Sequence, residues 1–146
     1  SGWGIVALGN RTYAPMMPAA SEALNVIIRD HVPVKTYSES DVWFETASAM
    51  NVVEELLTNW DNQLADDWIA VNMDLDQPRN ERMNAILAQV ASGTNTSRVP
   101  GSLTTTTPAH AKWQVTSDSG LIEVELLMSP TTPPKIQALK VAKAPQ

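Results

Sequence analysis

Apolar residues recur along the chain with two different periods, and the change from one to the other divides the molecule. Gly4-Ile-Val-Ala-Leu8 is a short continuous apolar run closed by Gly9-Asn10, which predicts a strand buried on both faces. From Met16 the positions Met16, Ala20, Ala23, Leu24, Ile27 and Ile28 repeat every three or four residues, as a helix with one face on a core requires. Pro33 ends it. Residues 32–40 hold a proline and polar side chains without helical period, so the boundary is placed there, dividing a segment 1–34 from a domain 35–146.

Past the boundary, Met50, Val53, Leu57, Trp60 and Leu64 keep a helical rhythm, with Ser40 or Asp41 as the expected cap. A break near Asp61-Asn62 precedes Leu64, Trp68 and Ile69, which read as a further turn or two. Asp76, two residues before Pro78, marks the start of another helix over 77–92 whose face is Met83, Ile86, Leu87 and Val90 and whose stop is Gly93. Residues 94–108 are rich in Thr, Ser, Gly and Pro and predict a loop. The period then becomes two. Ala111, Trp113 and Val115 alternate with polar partners, Asp118-Ser119-Gly120 supplies a turn, and Ile122, Val124, Leu126 and Met128 alternate against Glu123 and Glu125. After Pro130 and Pro133-Pro134, Ile136 to Val141 predicts a last strand, its imperfect alternation pointing to a bulge or to burial on both sides. The pattern therefore predicts an α+β fold: three helices packed on a small, about three-stranded antiparallel sheet, preceded by a strand–helix segment. The expected core joins Met50, Val53, Leu57, Trp60, Met83, Leu87, Trp113, Val124 and Leu126.

Composition narrows the chemistry. The 146 residues include no cysteine, which excludes disulfides, thiolate metal sites and a cysteine nucleophile. Sixteen acids against ten bases give a net charge of −6, so no nucleic-acid partner is expected, because phosphate binding relies on clustered Lys and Arg. No apolar run approaches the roughly 18–20 residues of a membrane span.

Few residues are left to carry a reaction. His31 and His110 each sit at an element edge without a second histidine or carboxylate at ligand spacing, and are read as solvated. Between Glu39 and Glu81 there are eleven acids and one base, Arg79. The Asp74-Leu-Asp76-Gln-Pro stretch lacks the Gly and terminal Glu of a calcium loop, so these acids are read as solvated helix faces, with Asp76 as a cap. No metal and no cofactor is expected. A serine nucleophile needs an adjacent base, and the chain contains no Ser-x-x-Lys, Gly-x-Ser-x-Gly, Lys-Thr-Gly or His-Thr-Gly, so no catalytic residue is assigned. The triplets Asn10-Arg-Thr12 and Asn95-Thr-Ser97 are short enough to occur by chance. Five tryptophans against one Phe and two Tyr is an unusual aromatic choice. Trp43, Trp60, Trp68 and Trp113 are the candidates for a pocket or interface that stacks flat ligands; the competing reading is core filling, since Trp60 and Trp113 lie in phase with apolar faces.

Two stretches resemble a known family. Gly2-Trp-Gly-Ile-Val-Ala-Leu-Gly-Asn-Arg-Thr-Tyr13, followed by the helix from Pro18 to Asp30, is similar to the end of serine hydrolases related to β-lactamases and penicillin-binding proteins, with Leu8, Asn10 and Arg11 on its Leu-x-Asn-Arg pattern. Asn72-Met-Asp-Leu-Asp-Gln-Pro78 with Arg82, Trp113, Gly120 to Leu126 and Pro133 to Leu139 resembles a C-terminal extension of some of these enzymes. The resemblance implies that the family's Ser-x-x-Lys, Tyr-x-Asn and Lys/His-Thr-Gly lie before residue 1, so that the chain reads as the tail of a larger hydrolase. Its expected role is a non-catalytic accessory domain that shapes the substrate cleft or mediates oligomerisation. The rest of the parent hydrolase is then the first partner, and a second copy joined through residues 1–33 the other. Such extensions also look somewhat like the cones of cystatin or NTF2-type domains, so the alternative is a small-molecule-binding module with a pocket between helices and sheet.

Overall fold

The computed structural model describes residues 5–8, 16–31, 37–90 and 95–144. The chain divides into two compact units, Ser1–Thr36 and Tyr37–Gln146.

In the first unit, helix α1 spans Met16–His31. Its stripe Met16, Ala20, Leu24 and Ile27 is half-buried, and no side chain described in this unit is fully buried. Residues Ile5 to Leu8 form no strand, which corrects the expectation for this part of the run, while Gly4 lies outside the described residues. The physical reason is that no strand among the described residues pairs with this run: a strand exists only through ladder bonds to another, and Val6 and Leu8 are each 87% exposed.

The second unit is α+β. A 3₁₀ turn at Glu39–Asp41 leads to α2 (Phe44–Thr58), α3 (Asn62–Trp68), α4 (Val71–Asp76) and α5 (Arg79–Val90). Strands β1 (Ser97–Arg98), β2 (His110–Ser117), β3 (Gly120–Met128) and β4 (Ile136–Lys143) follow, all antiparallel in the order β1-β2-β3-β4. Three helices and three strands were thus too few. The long helical rhythm breaks where Asp61 caps α3, its carboxylate accepting from the Gln63 and Leu64 amides. Asp76 caps nothing: it ends α4, and the carbonyl of Pro78 receives the first amide bonds of α5, from Glu81 and Arg82. Neither Ser40 nor Asp41 caps α2, because both are spent in the 3₁₀ turn, where Asp41 accepts from the Ser38 amide and hydroxyl. Within 94–108 the expected loop contains β1, whose Ser97 and Arg98 pair with Thr116 and Val115.

The β2–β3 hairpin follows its alternation closely. Ser117 pairs with Gly120 across a two-residue turn, and Gly120 holds a φ of +110°, open to glycine at little cost. Inward-facing Ala111, Trp113, Val115, Ile122, Val124, Leu126 and Met128 are buried. On β4 the bulge is real. Leu127 pairs with Ala138 but Met128 with Ile136, so Gln137 is an extra residue that lets Ile136 face inward on one side and Leu139 and Val141 on the other.

Helices α2 and α5 lie against this face. From α2, Thr46, Ala49, Met50, Val53, Leu56 and Leu57 are buried; from α5, Arg82, Ile86 and Val90. The α5 face is rotated slightly from its expected position, leaving Met83 half-buried, while Leu87 and Trp60 pack on the core from its margin. The sheet is open, and no helix among the described residues is long and apolar enough to cross a membrane.

Trp113 is 0% exposed and Trp60 only half-buried, so the two tryptophans expected in one core differ in weight. Trp113→Ala should lower stability by about 3–5 kcal/mol, and Trp60→Ala by about 1 kcal/mol, in denaturant titrations of the purified protein. A chain beginning at Tyr37 should unfold at the same denaturant concentration as the second unit of the whole protein, because the core is built from residues 46–136.

Candidate functional site

Most of the charged groups singled out in the sequence serve the fold. The Asp74 carboxylate, in α4, receives Nη1 of Arg82 at 2.8 Å and Nε of Arg79 at 3.1 Å, with a further ion pair to Arg79 Nη2. Arg79 also pairs with Asp66, and Arg82 Nη2 donates to the Gln77 carbonyl at 2.7 Å. Arg82 is 5% exposed, so its charge is sustained by these partners. The hydrogen bond from Arg79 outweighs burial and, with Arg82, holds the Asp74 carboxyl below its ordinary value of 3.8.

Glu54, on α2, is similarly spoken for. One of its oxygens accepts from Trp113 Nε1 at 2.8 Å and from Arg98 Nε at 2.7 Å, while Arg98 Nη2 reaches Asn51. Asp74, Asp66 and Glu54 are therefore structural ties, which corrects their reading as a merely solvated helix face. His110 is corrected too. Its Nε2 lies 3.1 Å from Glu125 Oε1, and its Nδ1 accepts from the Thr106 amide at 3.2 Å, so both ring nitrogens are engaged. Across the same outer face of the sheet Lys112 pairs with Glu123 at 2.8 Å. The side chain of His31 lies outside the described residues. Among the described residues no group of three or more His, Asp or Glu side chains is arranged to hold a metal ion.

The four tryptophans are dispersed. Trp113 is in the core, Trp60 donates to Asn62 at 3.1 Å from a half-buried position, and Trp68 packs on the core margin. Trp43 is exposed and lines a surface cleft. Val53, Leu57, Trp113 and Val124, between helices and sheet, are fully buried and belong to the core.

One surface feature is built around Trp43. The Trp43 amide donates to the Pro108 carbonyl at 2.9 Å, and the buried Thr46 hydroxyl donates to the same oxygen at 2.8 Å, fixing the start of α2 against the approach to β2. Trp43 is 44% and Phe44 82% exposed. Phe44 faces outward because it falls on the helix side opposite Thr46, Ala49, Met50 and Val53. Beside this aromatic corner runs the loop from Ser129 to Pro134. It is closed by Ser129, whose amide donates to the Lys135 carbonyl at 2.7 Å and whose hydroxyl accepts from the Lys135 amide at 2.9 Å. A cleft of about 300 Å³ lies between Trp43, Glu45 and this loop. A second, of about 520 Å³, opens between the loop and Val71, Asn72, Lys135 and Gln137. Phe44 was not singled out in the sequence. Its signal was there: the one phenylalanine of the chain stands out of phase with the apolar face of its own helix.

Compared with known protein families, curated proteins and solved structures, the chain matches none.

The sign of the Asp74 contribution follows from its lowered carboxyl: the group stabilises the fold above the unfolded value of 3.8, and that stability is lost as pH falls through its folded value. Asp74→Asn should cost about 2–3 kcal/mol at pH 7. Denaturation at a series of pH values should show the gap between variant and parent closing below the carboxylate's ordinary range.

Proposed function

We propose that residues 37–144 are a non-catalytic accessory domain of a serine hydrolase related to β-lactamases and penicillin-binding proteins, docked beside the enzyme's cleft and shaping it. The observation that carries this reading is the corner where Trp43 and Phe44, both exposed, stand beside the proline-rich loop closed by Ser129 and Lys135 and its two clefts. Adjacent exposed aromatics on a fixed helix start are suited to protein contact: they present large area at small cost in side-chain freedom. The resemblance of the Leu8-x-Asn10-Arg11 pattern to the end of these hydrolases supports this reading, in which the activated nucleophile belongs to another part of the protein.

The test is made on the whole gene product. Its reading frame should run upstream through Ser-x-x-Lys, and the double substitution Trp43→Ala/Phe44→Ala should lower kcat/KM for a p-nitrophenyl ester by about tenfold while leaving the melting temperature of the domain unchanged. Sedimentation of the same variant separates the roles: loss of assembly with unchanged kcat/KM would assign the corner to oligomerisation. An upstream frame without the nucleophile motif overturns the reading.

A further inference from the structure

A backbone N–H can only donate, and this fixes where the proton sits on the His110 ring. The Thr106 amide points at Nδ1 from 3.2 Å, so Nδ1 keeps its lone pair, and the proton of the neutral ring is on Nε2, donated to Glu125 Oε1 at 3.1 Å. Protonation of the ring removes that lone pair. The bond from Nε2 to Glu125 survives as a charge-assisted one, while Nδ1–H and the Thr106 N–H become two donors facing each other. The ring is only 13% exposed and stays with the carboxylate, so it is Thr106 that leaves. Thr106 itself is exposed, and its freed amide turns to water, which makes the change a local opening and not unfolding.

The place of Thr106 in the chain gives this opening its reach. Residues 105–111 form a loop closed by the bridge between Thr104 and Lys112. Inside it the His110 amide donates to the Thr107 carbonyl, and the Thr105 hydroxyl lies within reach of the Thr107 and His110 carbonyls. Two residues past Thr106, the Pro108 carbonyl accepts from the Trp43 amide and the Thr46 hydroxyl, the bonds that fix the start of α2. The loop thus joins His110, on the outer face of the sheet, to the exposed Trp43. The charged groups around the ring stand on the sheet: Lys112 on β2, Glu125 and beyond it Glu123 on β3, and Lys140 on β4, with Lys112 and Lys140 both opposite Glu125. Residues 104–109 are Thr, Pro and Ala and bring no charge to the Nδ1 side. From α2, Trp43 and Thr46 meet the loop, and Glu45, the acid of its first turn, lines the cleft beside Trp43. We propose that His110 is an acid-sensitive latch: neutral, it ties the 105–108 loop to the sheet and steadies the Trp43 corner; protonated, it releases the loop and loosens the corner. The latch acts on how the corner is held, whatever docks there.

The test is an NMR titration of the full chain from about pH 8 to about pH 5, the range in which histidine changes its charge. At the alkaline end the ring should carry its proton on Nε2 and none on Nδ1. On acidification the Thr106 amide should lose about fivefold of its protection against exchange, after correction for the intrinsic rate, and the Trp43 amide should lose protection with the same midpoint as the His110 ring. His110→Asn offers an oxygen in place of Nδ1 and does not titrate, so both amides should become indifferent to pH. Glu125→Gln keeps an acceptor for Nε2 and removes the charge, so the step should move to lower pH. Both positions lie outside the core, and the amide spectrum of each variant checks its fold; should one not fold, the titration of the parent chain decides. A neutral ring protonated on Nδ1, a Thr106 amide indifferent to the ring's titration, or a loss at Thr106 that leaves Trp43 unchanged overturns the proposal. A step that persists in His110→Asn also overturns it, since another group would then be its source.

Discussion

The second unit depends on burying one polar atom properly. Trp113 places a large indole at the centre of the inward face of β2, and its Nε1–H has no water to turn to. Glu54 supplies the acceptor from α2, and Arg98 from β1 balances the carboxylate. A buried donor left unsatisfied costs about 1–3 kcal/mol, so this contact fixes where the helix sits over the sheet as well as holding it there. The apolar packing of Val53, Leu57, Val124 and Leu126 then follows from that placement.

Charge elsewhere plays the same structural part. The helical layer is interrupted three times; the break at Ile69–Ala70 is held by the backbone of Ile136, and those at Asn59–Asp61 and Gln77–Pro78 by carboxylates, Asp61 capping α3 and Asp74 gathering Arg79 and Arg82 where α4 meets α5. Arg82 occupies a position on α5 that an apolar residue would ordinarily take, and it is tolerated because a carboxylate and a carbonyl meet it there. On the outer face, His110 with Glu125 and Lys112 with Glu123 make cross-strand pairs that suit a solvated sheet surface.

The sequence by itself determined the elements whose side chains repeat with a clear period. The hairpin alternation from Ala111 to Met128 and the α2 face through Met50, Val53 and Leu57 follow from local geometry alone, and even the bulge at Gln137 left a mark in the broken alternation of β4. Short elements were a different matter. The further turn or two expected past Asp61 is α3, but the two residues of β1 and the six of α4 carry too few positions to show a period, and they are held by neighbours distant in sequence. The same reason governs the site. Glu54 and Glu55 are alike in sequence, yet only the fold brings Trp113 and Arg98 to the first. The phase of Trp60 and Trp113 already pointed inward, but tertiary packing sorted the four tryptophans into core, margin and surface, because burial is a property of what surrounds a side chain and not of the side chain itself.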